Sequence, residues 1–267
     1  MRAVSADRGR QWRQRENDNW LRRYRPSERP AVRLLCLPHA GGSATSFLSL
    51  ARALPATIDV VAVQYPGRQD RRAEPSEDRL TTLADRIVAV LAGRPGPPLA
   101  LFGHSLGAVV AYEVALRLEA TGSGPAHLFA SGRRAPSRYR DEQVHRRDDA
   151  GVLAELAVLN GTDFSIMDDP DVIAMIMPAL RADYRAIETY RHDPGRRLRC
   201  PVTALVGDDD PRTSRDEAAD WARHTDGPFT LEVLPGGHFY LVDRIADVVD
   251  VVSSTLTGGV GERPGPS

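Results

Sequence analysis

Not one lysine occurs among the 267 residues; all 35 basic side chains are arginines. Against 36 acidic residues they leave a formal net charge of -1, so no overall charge draws the chain toward nucleic acid or an anionic membrane. Long apolar runs are missing too. Nothing approaches the roughly 18 consecutive apolar residues of a spanning helix, and the polar, arginine-rich start has no apolar core of a secretory signal. Both absences lead us to expect a cytoplasmic protein. Cysteine is scarce, and Cys36 and Cys200 each fall in or beside a predicted buried strand, where they read as small core hydrophobes. They lack the spacing of a metal site, and in a reducing compartment no structural disulfide is expected.

What is present is ordinary for a globular protein: 42% hydrophobic and 27% charged residues, enough chain for one large α/β domain or two small ones. Charge is nonetheless uneven, with nine arginines against four acids in residues 1–29. Residues 1–19 have no apolar period and are expected to be a disordered leader. Residues 257–267, rich in Gly and Pro, are expected to be a flexible tail, which leaves a domain over residues 20–256. Residues 20–24 either add a short strand or lie across the surface.

From residue 32 onward, apolar strand-like segments alternate with helical ones. The pattern predicts strands at 32–37, 59–63, 99–102, 127–130, 202–206 and 229–234. Helices are predicted at 43–54, 80–91, from 108 to a stop at Gly122, at 215–224 and at 241–256. Such alternation implies a mostly parallel central sheet flanked by helices. Residues 140–192 interrupt it, with helical patterns at 150–159 and 171–190 and no strand between. A helical lid insertion placed there lies above the carboxyl ends of the strands, where ligands bind in such sheets. Met167, Met175 and Met177 all fall in it. They either form an adaptable substrate-binding surface or fill the insertion's own core.

The chemistry centres on Leu99-Ala-Leu-Phe-Gly-His-Ser-Leu-Gly-Ala108, a short apolar strand running through Gly103-His104-Ser105-Leu106-Gly107 into a helix. A Gly-x-Ser-x-Gly turn between strand and helix holds the serine hydroxyl proud of the sheet edge, at a helix N-terminus whose N–H groups stabilise an anion. A serine nucleophile needs a base. His238, in Pro235-Gly-Gly-His238 after the last predicted strand, stands at the same sheet edge. His39 and His104 read as structural, and His127, His145, His192 and His224 as loop or surface residues. The base needs a carboxylate to fix its tautomer. Of the three acids in Gly207-Asp-Asp-Asp-Pro211, Asp210 reaches past the strand end, whereas Asp208 and Asp209 shape the turn. The order Ser105, Asp210, His238 is that of α/β-hydrolases. Oxyanion donors are expected from the backbone N–H of Leu106, just after the nucleophile, and of Ala40, in the loop after the first strand.

Several segments together resemble one family. Pro38-His-Ala-Gly-Gly-Ser43, Tyr65-Pro-Gly-Arg68, Gly103-His-Ser-Leu-Gly-Ala108, Ser131-Gly-Arg-Arg-Ala-Pro136 and Pro235-Gly-Gly-His-Phe239 are similar to type II thioesterases of polyketide and nonribosomal peptide pathways. Pro178-Ala-Leu-Arg-Ala-Asp183 and Glu188-Thr-Tyr190 are similar to their lid. Leu106 departs from the family, many members of which carry methionine there. The resemblance implies an α/β-hydrolase fold and release of aberrant or stalled acyl groups from the phosphopantetheine arm of an acyl or peptidyl carrier protein. It implies no metal and no other cofactor. Carrier proteins are typically acidic, so Arg68, Arg71, Arg72, Arg133, Arg134 and Arg138 are either a basic docking surface or simply solvated. A monomer is expected. The same triad would also serve a small-molecule carboxylesterase or an acyltransferase, and an α/β-hydrolase with a damaged triad could be a docking module.

Overall fold

The computed structural model describes residues 19–94, 96–160 and 169–258. Most of the expected leader, residues 259–267 of the expected tail, and Met167 lie outside the described residues. The strands form where Val, Leu, Ile and Ala run unbroken, the composition of strands covered on both faces. They are β1 (Leu21–Arg23), β2 (Val32–Leu37), β3 (Ile58–Val63), β4 (Leu99–His104), β5 (His127–Ser131), β6 (Val202–Gly207) and β7 (Phe229–Leu234). They pair in the order β1-β3-β2-β4-β5-β6-β7, parallel throughout except for β1, which runs antiparallel to β3. Residues 20–24 thus supply an edge strand.

Side chains alternate between two apolar layers. Leu35, Leu37, Val61 and Val63 face one layer with α2 (Leu80–Leu91) and α3 (Leu106–Ala120). Leu34, Cys36, Val60 and Ala62 face the other with α1 (Leu48–Ala53). Asp59 is the exception inside β3. Its carboxylate is fully buried and held by Arg23 on β1 at 2.8 Å and Arg33 on β2 at 3.1 Å, so that charge is compensated across three adjacent strands. Both cysteines are free and buried.

Between β5 and β6 the chain leaves the sheet to form α4 (Asp149–Asn160) and α5 (Pro170–Thr189), the expected helical insertion. It has its own small core of Val144, Val152, Leu156, Met177, Leu180 and Tyr184. The chain after β6 continues through α6 (Arg215–Ala219) into a 3-10 turn, and after β7 through α7 (Tyr240–Asp243) and α8 (Ile245–Thr257). The single helix expected over 241–256 is therefore two, broken at Arg244 (φ -109°, ψ 35°). Apolar spacing runs on across the break, but Tyr240 is anchored to Ser131 at 2.6 Å while α8 packs against the sheet.

Candidate active site

The turn from β4 into α3 has no room for side chains at Gly103 and Gly107, two residues either side of Ser105. A Cβ on Gly103 would stand 2.1 Å from the Gly107 carbonyl oxygen, and one on Gly107 would stand 2.0 Å from that of Leu37. Ser105 itself is held at φ 55°, ψ -117°, a conformation that non-glycine residues rarely occupy. Its N–H donates to the Ser131 carbonyl at 2.8 Å, which locks the turn against β5.

Two loops from neighbouring strands bring the base and acid together. Asp208 accepts the Gly236 N–H at 2.8 Å, and the Asp209 N–H donates to the Gly236 carbonyl at 3.0 Å, so these residues stitch the β6 loop to the β7 loop. Asp210 Oδ2 then accepts His238 Nδ1–H at 2.8 Å. Its Oδ1 takes the N–H groups of Arg212 and Thr213 at 2.8 and 3.2 Å, which fixes the carboxylate's orientation. His238 Nε2 is buried without a hydrogen-bond partner among the described residues. Ser105 and His238 line one cavity of about 250 Å³ but are not bonded to each other, a contact that commonly tightens only with substrate in place.

Two more histidines surround this pair. His104 is fully buried, its Nδ1 2.9 Å from Ser131 Oγ and its ring 5.1 Å from that of His238. Burial, with His238 and His39 beside it, holds it well below the usual histidine value. Burial likewise pushes His39 down to about 3. Both rings are neutral near pH 7.

The loop after β2 lies along the same cavity. The Gly42 N–H is bonded to the His39 carbonyl at 2.9 Å, and the Gly41 N–H to Asp183 Oδ2 at 2.7 Å. The Ala40 N–H, like that of His39, has no acceptor among the described residues. Leu106 opens α3, and its N–H belongs to the first turn, which has no intrahelical acceptors. Asp183 comes from the lid helix α5 and is also ion-paired with buried Arg68, so the lid directly holds this loop.

Of the two methionines among the described residues, neither lines the cavity, and Met177 takes the alternative of filling the insertion's own core. Met175 is 58% exposed. The helix turns 100° per residue, and Ile176, Leu180, Tyr184 and Ile187 are the α5 residues that reach the cavity. The arginine surface is corrected as well. Arg68, Arg71 and Arg134 are buried, paired with Asp183, Glu74 and Glu142 respectively. Arg71 is further held over the Trp20 ring at 4.3 Å. Arg133 lines the cavity, Arg138 is paired with Asp220, and Arg72 is exposed. Two histidines expected in loops or at the surface have structural partners: His224 is buried against Ser137 at 2.9 Å, and His145 is bonded to buried Glu188. Sequence reasoning named Arg68 only as a docking candidate and missed Asp183, Tyr184 and Glu188 as individual residues. Asp183 and Glu188 were signalled only by membership of the segments 178–183 and 188–190, and Tyr184 lies in neither. No cluster of three or more His, Cys, Asp or Glu able to hold a metal is present among the described residues.

A family model described as "Thioesterase domain" matches residues 32–256. The chain is 50% identical over 237 residues to a probable cadicidin biosynthesis thioesterase of Streptomyces griseus, covering 89% of this chain and 66% of that one. It is 48% identical over 243 residues to the thioesterase PikA5 of Streptomyces venezuelae, covering 89% and 85%. Among solved structures, the type II thioesterase BorB from the borrelidin biosynthetic cluster superposes with a TM-score of 0.83 at 48% identity, over 89% of this chain and 98% of that one.

Proposed function

The chain belongs to the thioesterase family, and on that premise we propose that it releases acyl groups from the phosphopantetheine arm of acyl or peptidyl carrier proteins, clearing aberrant or stalled chains from a polyketide or nonribosomal peptide assembly line. Relatives from such pathways support the substrate class. One observation carries the chemistry: the Asp210–His238 hydrogen bond ends in a free Nε2 at the cavity that Ser105 also lines.

In this reading His238 Nε2 takes the Ser105 proton as Oγ attacks the thioester carbonyl, and Asp210 stabilises the imidazolium. The N–H groups of Ala40 and Leu106 hold the oxyanion. Collapse of the tetrahedral intermediate breaks the C–S bond, and His238 returns the proton to the leaving sulfur. Water, deprotonated by the same nitrogen, then attacks the acyl-serine ester, releasing the carboxylic acid and restoring the Ser105 hydroxyl. Every proton is carried by His238, so the sequence of steps calls on no metal or redox cofactor.

The test compares an acyl-loaded carrier protein, the matching N-acetylcysteamine thioester and the matching p-nitrophenyl ester, each with wild type and Ser105→Ala. We expect fastest turnover on the carrier-bound thioester and its loss in Ser105→Ala. Turnover of the simple ester with none of the carrier-bound thioester would overturn the reading in favour of an esterase.

A further inference from the structure

Three hydrogen-bond donors in the cavity wall have no acceptor. Tyr184 is 9% exposed, and its hydroxyl is buried without a partner among the described residues; Arg212 Nε is in the same condition, although its Nη2 pairs with Glu155 at 2.6 Å. The half-buried Arg133 guanidinium lines the same cavity and makes no hydrogen bond or ion pair among the described residues. All three residues line the one cavity. The neighbouring carboxylates are already engaged. Glu142 takes Arg134, Glu155 takes Arg147 and Arg212, and Glu188 takes the N–H groups of Val144 and His145.

Apart from Tyr184 and the engaged carboxylates of Glu142 and Glu155, the lid's contribution to the wall is apolar: Leu156, Leu159, Ile176, Leu180 and Ile187. A pocket meant only for alkyl chains has no use for unpaired donors, because each buried donor without an acceptor carries a desolvation penalty. The penalty is relieved when the ligand brings an acceptor.

We propose that Arg133, Tyr184 and Arg212 form a subsite for a hydrogen-bond-accepting oxygen on the acyl chain, so that acyl groups bearing a hydroxyl, keto or carboxylate oxygen are released in preference to plain alkyl ones. This rests on the thioesterase reading above and specifies its substrate class.

The test measures kcat/KM for N-acetylcysteamine thioesters of hexanoate, 3-hydroxyhexanoate, 3-oxohexanoate and adipate (as the monothioester). Wild type is compared with Tyr184→Phe and Arg133→Met. Wild type should favour at least one oxygenated chain over hexanoyl by about tenfold, the scale of one good hydrogen bond to a charged donor. In the variants that ratio should fall toward one. A neutral oxygen as the natural ligand predicts sensitivity to both substitutions, whereas a carboxylate predicts greater sensitivity to Arg133→Met. Taking the ratio within each variant cancels any loss of folded protein. A wild-type ratio near one, or a preference that survives both substitutions, would overturn the subsite. So would equal losses on all four substrates, which would set the donors against the arm common to them. No hydrolysis of any of the four acyl groups, either from N-acetylcysteamine or from a loaded carrier protein, would instead overturn the thioesterase reading itself.

Discussion

A Cβ at position 107 would stand 2.0 Å from the Leu37 carbonyl oxygen and within 2.7 Å of that of Pro38, both backbone atoms that cannot swing aside. At Gly122, which ends α3 with φ +76°, nothing lies within 4 Å of the added carbon. The two glycines therefore answer different needs, one for space and one for a left-handed backbone. Gly107→Ala is expected to prevent accumulation of folded protein or to abolish activity. Gly122→Ala should cost only about 1 kcal/mol, leaving activity intact and lowering Tm by a few degrees. Soluble expression, thermal melts and acyl release measured side by side check the pair. Equal behaviour of the two variants would contradict the steric account of the Ser105 turn.

The lid helix and the loop after β2 share one carboxylate besides their apolar contacts. Asp183 accepts the Gly41 N–H and pairs with buried Arg68, tying α5, the 38–42 loop and the chain after β3 into one unit. Asp183→Asn should keep the fold but leave Arg68 short of a charge and the loop less firmly aimed. Losing an oxyanion donor outright costs about 100- to 1,000-fold in kcat; misaiming one should cost up to about 100-fold, with KM changed far less. Breaking a buried pair from one side destabilises by about 3–5 kcal/mol, whereas apolar replacement of both partners is close to neutral. The double variant Arg68→Met, Asp183→Leu is therefore expected to regain the Tm lost in Asp183→Leu while kcat stays low. Recovery of both together would mean that Asp183 only stabilises the lid and does not position the loop.

Across the whole molecule, histidine burial sets the acid limit of stability. His104 is held well below its usual value by burial, His39 is pushed down to about 3, and His127 and His224 to about 4. In the unfolded chain all of them take up protons near pH 6.5. Below that pH the unfolded state binds more protons than the native one, so stability is lost as pH falls from about 6.5 toward about 4. A fully buried ring such as His104 contributes up to about 1.4 kcal/mol per pH unit to that slope. Carboxylates held down by arginine, such as Glu74 beside Arg71, act only at lower pH. Urea midpoints at pH 7.5 and 5.0 should accordingly differ, and the difference should shrink in His104→Gln even though that variant is less stable at both. An unchanged difference would remove His104 from the account.

The parallel sheet, its helical cover and the inserted lid were legible in the residues alone, because strands buried on both faces are written as continuous Val, Leu and Ile runs and helices as a repeat near 3.6. The elbow at Ser105 and the choice of Asp210 over its two neighbours could also be read locally, since turn geometry and the distance past a strand end are short-range matters. Which face of a lid helix meets the cavity was not, because one residue of rotation moves Met177 into the lid's core and Ile176 into the cavity wall. Nor could the sequence distinguish an arginine in solvent from one inside. Arg68, Arg71 and Arg134 look alike in a charged run; Glu74 and Glu142 lie close in sequence to Arg71 and Arg134, but Asp183, which compensates buried Arg68, is 115 positions away. The residues determined the elements and the chemistry they can carry. The tertiary structure decided which charges are paired and which donors are left facing the cavity, because pairing depends on distances between segments that the order of residues does not record.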